Sequence, residues 1–280
     1  MLSLTRSYEI SFEIFPPKKT SSIETVYDAI KNLAQMNPDF ISVTYGAGGS
    51  RQSNKTCELA SLVKNKHHIK AIAHLTCINS TKDQVSEILT DLKAHGIENI
   101  LALRGDRNPD MEETKDFKYA YELVQYIKEN GNFHLYGACY PEAHPECESY
   151  EKDLLHLKHK VELGVEHLIT QLFFDNEIFY RFLNDIRKLG IHQPVHAGIM
   201  PVTNLKQILR MTGMCGASIP GKLSKVLSQY FNDDEGLYKA GLDYAVEQIN
   251  DLIAHGIDGI HLYTMNNPKV ASYIIENIDK

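Results

Sequence analysis

Short apolar runs alternate with amphipathic segments eight times along this chain, and that repeat constrains the fold more than any other feature. Strands are predicted at 10–15, 40–45, 70–77, 99–105, 134–140, 167–174, 194–200 and 259–264. Between them, sets such as Val85, Ile88, Leu89, Leu92 and Ile178, Phe179, Phe182, Leu183, Ile186 each fall on one helix face, so helices should cover a parallel sheet. Four junctions share one grammar. Gly96-Ile97, Gly164-Val165, Gly190-Ile191 and Gly256-Ile257 each place a left-handed glycine at a helix end just before a strand. Ser21 with Glu24 and Ser80 with Asp83 carry the spacing of helix N-caps.

Eight β/α units in 280 residues predict an α/β fold, a closed (β/α)8 TIM barrel forming a single domain over 1–280. An open doubly wound sheet is the runner-up, and no GxGxxG follows any strand to support it. The interval from Val202 to Gly259 is long enough for an inserted helix around 222–230 as well as the eighth barrel helix. That insertion is a candidate lid or subunit contact, and a homo-oligomer is the expected assembly.

A formal charge of −7 argues against a nucleic-acid surface and leaves a small molecule as the expected partner. Five cysteines with no CxxC pairing support neither a disulfide framework nor a structural zinc site. Met1–Arg6 has no h-region or cleavage site, and no apolar run approaches the ~20 residues that span a bilayer. A soluble, untargeted cytoplasmic protein with reduced thiols is the expectation.

Glu13 lies inside the apolar run Ser11-Phe12-Glu13-Ile14-Phe15, which Pro16 and Pro17 then stop. Burial raises a carboxyl pKa and can hold the group protonated, the form a general acid needs; the plainer alternative is an ion-paired core glutamate. In a barrel the C-terminal strand ends form the active face. There the chain sets Glu13, Thr44, Tyr45, His74, Thr76, Arg104, Asp106, Tyr140, Gln171, Tyr263 and Thr264. His74 could equally be a satisfied core histidine, and Arg104 and Asp106 could simply pair with each other. Gln171, between apolar neighbours, needs a buried partner or a ligand for its amide.

Gly46-Ala47-Gly48-Gly49-Ser50 could bring backbone amides to a phosphate or an aromatic ring, or could be a tight turn. Neither His144, Glu146 and Cys147 nor His156 and His159 show a recognised ligand spacing, so no metal is predicted. GxSxG, HExxH and a lone strand lysine are all missing, which removes support for acyl transfer, zinc hydrolysis and Schiff-base chemistry. One buried acid among many hydrogen-bonding groups suits an enzyme whose hard chemistry belongs to an organic cofactor.

The blocks SFEIFPPK, SVTYGAGGS, AHLTC, ILALRGD, CYPEAHPE, ITQLFFD, AGIMPV and HLYTMN, in this order from Ser11 to Asn266, resemble the methylenetetrahydrofolate reductase family, bacterial type, catalytic barrel only. The resemblance implies an FAD-bearing barrel that oxidises NADH or NADPH and reduces 5,10-methylenetetrahydrofolate to 5-methyltetrahydrofolate by ping-pong kinetics, within one-carbon metabolism and methionine synthesis. It implies that Glu13 is the general acid and that Asp106 lies between flavin and pterin as a catalytic and substrate-binding residue. Gln171, Gln207 and Tyr263 would bind the folate. Thr44, Tyr45, Ala47, His74, Arg104, Gly105, Asp106, Tyr140, His144, Asp153 and Lys160 match positions that hold FAD.

The chain departs from the family pattern at several positions. Met211 stands where relatives commonly carry a stacking aromatic, Asn267 replaces an expected arginine, and Ala197-Gly198 replaces the usual Pro-Gly. His156 and His159 stand where other FAD contacts usually lie. The match stops at the barrel, so inhibition by adenosylmethionine is not expected. Three alternatives stay open: a flavin barrel of the proline dehydrogenase type, a folate reductase fed by an electron-transfer partner protein, and a degenerate barrel serving as a binding subunit.

Overall fold

A computed structural model describes residues 7–17, 22–45, 50–107 and 114–279, with the side chains of 50–54 outside the description. The architecture is a closed ring of eight parallel strands in the order β1 to β8, with β8 pairing back onto β1. The strands are β1 (Glu9–Ile14), β2 (Phe40–Val43), β3 (Lys70–Thr76), β4 (Asn99–Leu103), β5 (His134–Cys139), β6 (His167–Thr170), β7 (Val195–Ile199) and β8 (Gly259–Tyr263). All eight coincide with apolar runs read from the sequence.

The helices are α1 (Ile23–Ala34), α2 (Ser50–Ser61, continued by a π-helical turn Leu62–Lys66), α3 (Lys82–Ala94), α4 (Ala120–Asn130), α5 (Tyr150–Glu162), α6 (Asn176–Lys188), α7 (Leu205–Cys215), α8 (Gly221–Gln229), α9 (Asp234–Ala254) and α10 (Pro268–Asn277). The interval between β7 and β8 therefore holds three helices. Long α9 packs against α6 and α10 and so fills the seventh place in the helix ring, while the eighth barrel helix is α10, after β8. The sequence reading placed the eighth barrel helix before β8, within the long interval from Val202 to Gly259. Among the described residues no helix is long and apolar enough to cross a membrane.

Two cap assignments shift by one residue. Ser22 caps α1 by accepting from the Glu24 amide, and Thr81 caps α3 in a reciprocal capping box with Gln84. Ser80, named from the sequence, instead donates its hydroxyl to the Thr76 carbonyl. The junction glycines Gly96, Gly164, Gly190 and Gly256 all take positive φ, where a side chain would strain the turn.

Because successive strand side chains point to opposite faces, each strand sorts its residues between the helix layer and the barrel interior. Phe12 and Ile14 face outward and are fully buried, each contributing about 1.5–3 kcal/mol. That packing fixes the orientation of β1, which turns Ser11 and Glu13 inward. A smaller cluster of Phe40, Ile72, Leu101, Tyr136 and Ile169 fills the lower interior. A third, containing Leu172, Phe174, Met200, Ile208 and Leu223, joins α7 and α8 to the strand ends, with Met211 and Tyr263 packed at its edge.

Candidate active site

Glu13 is the penultimate residue of β1, in register with Ser42 on β2 and Tyr263 on β8. The strand end is held firmly. Thr264 donates its hydroxyl to the Glu13 carbonyl (3.1 Å), and the Asn266 amide bonds both the N–H (3.0 Å) and the carbonyl (2.8 Å) of Phe15. The Glu13 side chain keeps 21 % exposure at the barrel mouth, and burial raises its pKa against the opposing pull of His74.

Two histidines flank this carboxyl. His74 Nε2 lies 3.7 Å from Glu13 Oε2 and is a buried polar atom without a hydrogen-bond partner among the described residues. His261 Nε2 lies 3.9 Å from the same oxygen. Burial, only partly offset by Glu13, lowers His74 to about 4; burial and then His196 lower His261 to about 3. Both rings are therefore neutral near pH 7. Ser11 donates to the Ile260 carbonyl (3.1 Å), so its lone pair receives the proton on His261 Nδ1 at 2.8 Å. That tautomer leaves His261 Nε2 to accept from the Ser42 hydroxyl at 3.3 Å.

Sequence reasoning missed Ser11, Ser42 and His261. The signal was present: His261 and Tyr263 are two apart on a strand, as are Ser11 and Glu13, so each pair shares a face.

The other candidates spread around the same rim. Thr44 bonds the Ile14 carbonyl through its amide (2.9 Å) and is half-buried, as is Tyr45. Ala47 and the glycine-rich segment lie outside the described residues. Gly105 takes φ +87°, and a Cβ there would approach Thr76 Cβ to 3.0 Å. Asp106 is exposed beside it, close enough for its charge to help raise Tyr140 and Cys215, after the larger effect of burial in each.

Arg104 does not pair with Asp106 as one sequence alternative had it. Its guanidinium grips Glu146 in a bidentate pair at 2.8 and 3.0 Å. Glu146, considered from the sequence only as a metal ligand, is thus part of the rim. His144 lies edge-on to Tyr140 (4.8 Å between centroids), and its backbone N–H donates to Asp153. Lys160 is half-buried, with a pKa lowered by desolvation, and donates to the Ala138 carbonyl at 2.6 Å. His156 and His159 pack edge-on against Tyr119 and Tyr121 of the α4 entry.

On the substrate side, the Gln171 side-chain oxygen accepts from the Leu172 amide (2.8 Å), leaving its NH2 group to point elsewhere. Tyr263 donates to the Thr170 carbonyl at 2.6 Å and lies across Gly198, where a Cβ would come within 2.3 Å of that carbonyl oxygen and 2.7 Å of the Tyr263 ring. Gln207 is half-buried in the first turn of α7, with its backbone held by Asn204.

The family model for methylenetetrahydrofolate reductase matches residues 2–279. The chain is 38% identical over 283 residues to methylenetetrahydrofolate reductase (NADH) 1 of Arabidopsis thaliana, covering 96% of this chain and 48% of that protein. It therefore spans about half the length of the plant relatives it matches. It is 36% identical to 5,10-methylenetetrahydrofolate reductase of Escherichia coli K12, covering 95% of this chain and 88% of that one. Among solved structures, an uncharacterised Clostridium thermocellum protein that binds two copies of 5-methyl-5,6,7,8-tetrahydrofolic acid aligns with a TM-score of 0.67 at 16% identity. That alignment covers 97% of this chain and 93% of the other, a likeness of fold.

Proposed function

Because this chain belongs to the methylenetetrahydrofolate reductase family, we propose that it reduces 5,10-methylenetetrahydrofolate to 5-methyltetrahydrofolate with electrons from NADH or NADPH passed through bound FAD. The observation that carries this reading is Glu13, a carboxyl whose pKa burial raises, at the active end of β1 between two neutral histidines.

The rim suits a flavin dinucleotide. It offers a buried imidazole nitrogen without a partner on His74, a glycine cradle at Gly105 and two cations, Arg104 and Lys160. Thr44, Tyr45, His74, Arg104, Gly105, Asp106, Tyr140, His144, Asp153 and Lys160 would hold it, with Ala47 on the adjoining loop. When bound, the flavin supplies hydride chemistry, taking a hydride from a nicotinamide and giving one to the folate's one-carbon unit.

The remaining work belongs to the chain. Glu13 gives its proton to the ring nitrogen that leaves when the folate's five-membered ring opens, and the one-carbon unit becomes an iminium on the other nitrogen. Asp106, exposed and acidic at the rim, stabilises that positive charge. Gln171 binds the pterin amide edge through its free NH2 group, and Gln207 and Tyr263 border the same space. Nicotinamide and folate take turns beside the flavin, which gives ping-pong kinetics. The NADH in the plant relatives' names favours NADH as donor.

The test is turnover. Purified protein should carry a flavin spectrum, oxidise NADH only when methylenetetrahydrofolate is present, and form methyltetrahydrofolate in equal amount. A flavin-loaded protein that oxidises NADH with other acceptors and leaves the folate unchanged would refute the reading.

A further inference from the structure

On the outer helical layer, away from the rim, Cys57 of α2 faces Asp91 and His95 at the C-terminal end of α3. Cys57 Sγ lies 3.4 Å from His95 Nδ1, and that nitrogen lies 3.3 Å from Asp91 Oδ1. One ligand atom from each of the three residues lies within 4.8 Å of the other two, a grouping found by position and not by sequence spacing. We propose that Cys57, Asp91 and His95 form a binding site for a zinc-class divalent cation, with a fourth coordination position open to solvent.

The geometry suits the ion. Tetrahedral zinc with a thiolate at about 2.3 Å and nitrogen or oxygen at about 2.0–2.1 Å sets sulfur and nitrogen about 3.5 Å apart, and nitrogen and oxygen about 3.3 Å apart. Both spacings occur here before any ion is added. The sulfur is dry, with Cys57 2 % exposed, whereas Asp91 and His95 are 43 % and 46 % exposed and leave a route in. His95 caps α3, so the site also meets the negative end of that helix dipole. A thiolate, an imidazole and a single carboxylate favour zinc over calcium or magnesium, which prefer sets of oxygen ligands.

Proton balance is simple. His95 Nδ1 now contacts the Asp91 carbonyl at 2.9 Å, and its proton moves to the exposed Nε2 when the metal binds. Burial, then Asp91, pushes the Cys57 thiol up to about 12, so binding expels the thiol proton into water. Affinity therefore climbs about tenfold per pH unit across the neutral range. The bound ion would cross-link α2 to α3.

Cobalt reports on the site directly. Full-length protein stripped with chelator and titrated with Co²⁺ should develop a thiolate-to-cobalt charge-transfer band that saturates at one equivalent and bleaches on adding Zn²⁺. Cys57→Ser should lose that band. His95→Gln and Asp91→Asn, at exposed positions that keep the fold, should each weaken Zn²⁺ binding at least ~tenfold in chelator competition. No thiolate band in the parent protein, a band that survives in Cys57→Ser, or unchanged Zn²⁺ affinity in both surface variants would reduce the cluster to a hydrogen-bonded trio and overturn the proposal.

Discussion

His74 Nε2 and Glu13 Oε2 face each other at 3.7 Å across the barrel mouth, too far for a hydrogen bond, and the imidazole nitrogen has no hydrogen-bond partner among the described residues. A neutral imidazole beside a carboxyl whose pKa is raised is no ion pair. Burial shifts Glu13 toward its protonated form, the form a general acid requires.

Glu13→Gln keeps the shape and removes the proton donor. Folate reduction should fall by about 10²–10⁴-fold while flavin reduction by NADH stays nearly intact. Stopped-flow measurement of the two half-reactions separates them, and equal losses in both would remove Glu13 from the acid role.

The raised pKa of Glu13 sets the pH dependence. The folate half-reaction should decline as pH rises through that value, and Glu13→Gln should lack this falling limb. For stability the sign follows from proton uptake. A carboxyl raised on folding contributes fully below its unfolded pKa, and that contribution is lost as pH climbs through the folded one. The parent protein should therefore lose stability relative to Glu13→Gln toward higher pH, measured as thermal midpoints from about pH 4 to about pH 8.

Arg104 is tied to Glu146 by two charged hydrogen bonds at the proposed cofactor rim. Arg104→Ala should weaken FAD retention by about 10–100-fold, the scale of one or two such bonds. Glu146→Gln frees the guanidinium and should strengthen retention. Fluorescence of released flavin measures both, and weakening in both variants would mark the pair as purely structural.

Gln171→Ala should raise the KM for folate by about 2–10-fold, the worth of one neutral hydrogen bond, and leave flavin content unchanged. Loss of flavin with KM unaltered would move Gln171 from substrate to cofactor.

Gly198→Ala tests packing alone. The added methyl would strike the Thr170 carbonyl and the Tyr263 ring together, so the variant should be destabilised by about 1–3 kcal/mol. Chemical denaturation checks this, and a variant as stable as the parent would show that Tyr263 can move aside.

The barrel was legible because strands buried on both faces read as unbroken apolar runs and four of the helix ends carry glycine before the next strand. The runs overshot the ladders where the chain leaves the sheet, as with Gln171–Phe174 after β6, since apolar residues continue past the last paired position. The helix order after β7 was misread because periodicity finds helices and says nothing of which ring position they occupy. Glu13 and Tyr263 could be named from their strand positions, and Gln171 from its place directly after β6. Glu146 could not, because its role depends on Arg104 reaching it across 42 residues. Cys57 escaped for the same reason: Asp91 and His95 form a visible i, i+4 pair, while their sulfur sits one helix earlier.

Closure of the ring between β1 and β8 has a consequence for biosynthesis. Glu13 leaves the ribosome long before its register partner Tyr263 and the flanking His261 on β8. Until β8 emerges, the carboxyl has no eighth-strand wall beside it and the sheet has two open edges. Truncation before β8 should therefore leave a nascent chain with most of its helices but no closed site, dependent on chaperones for solubility.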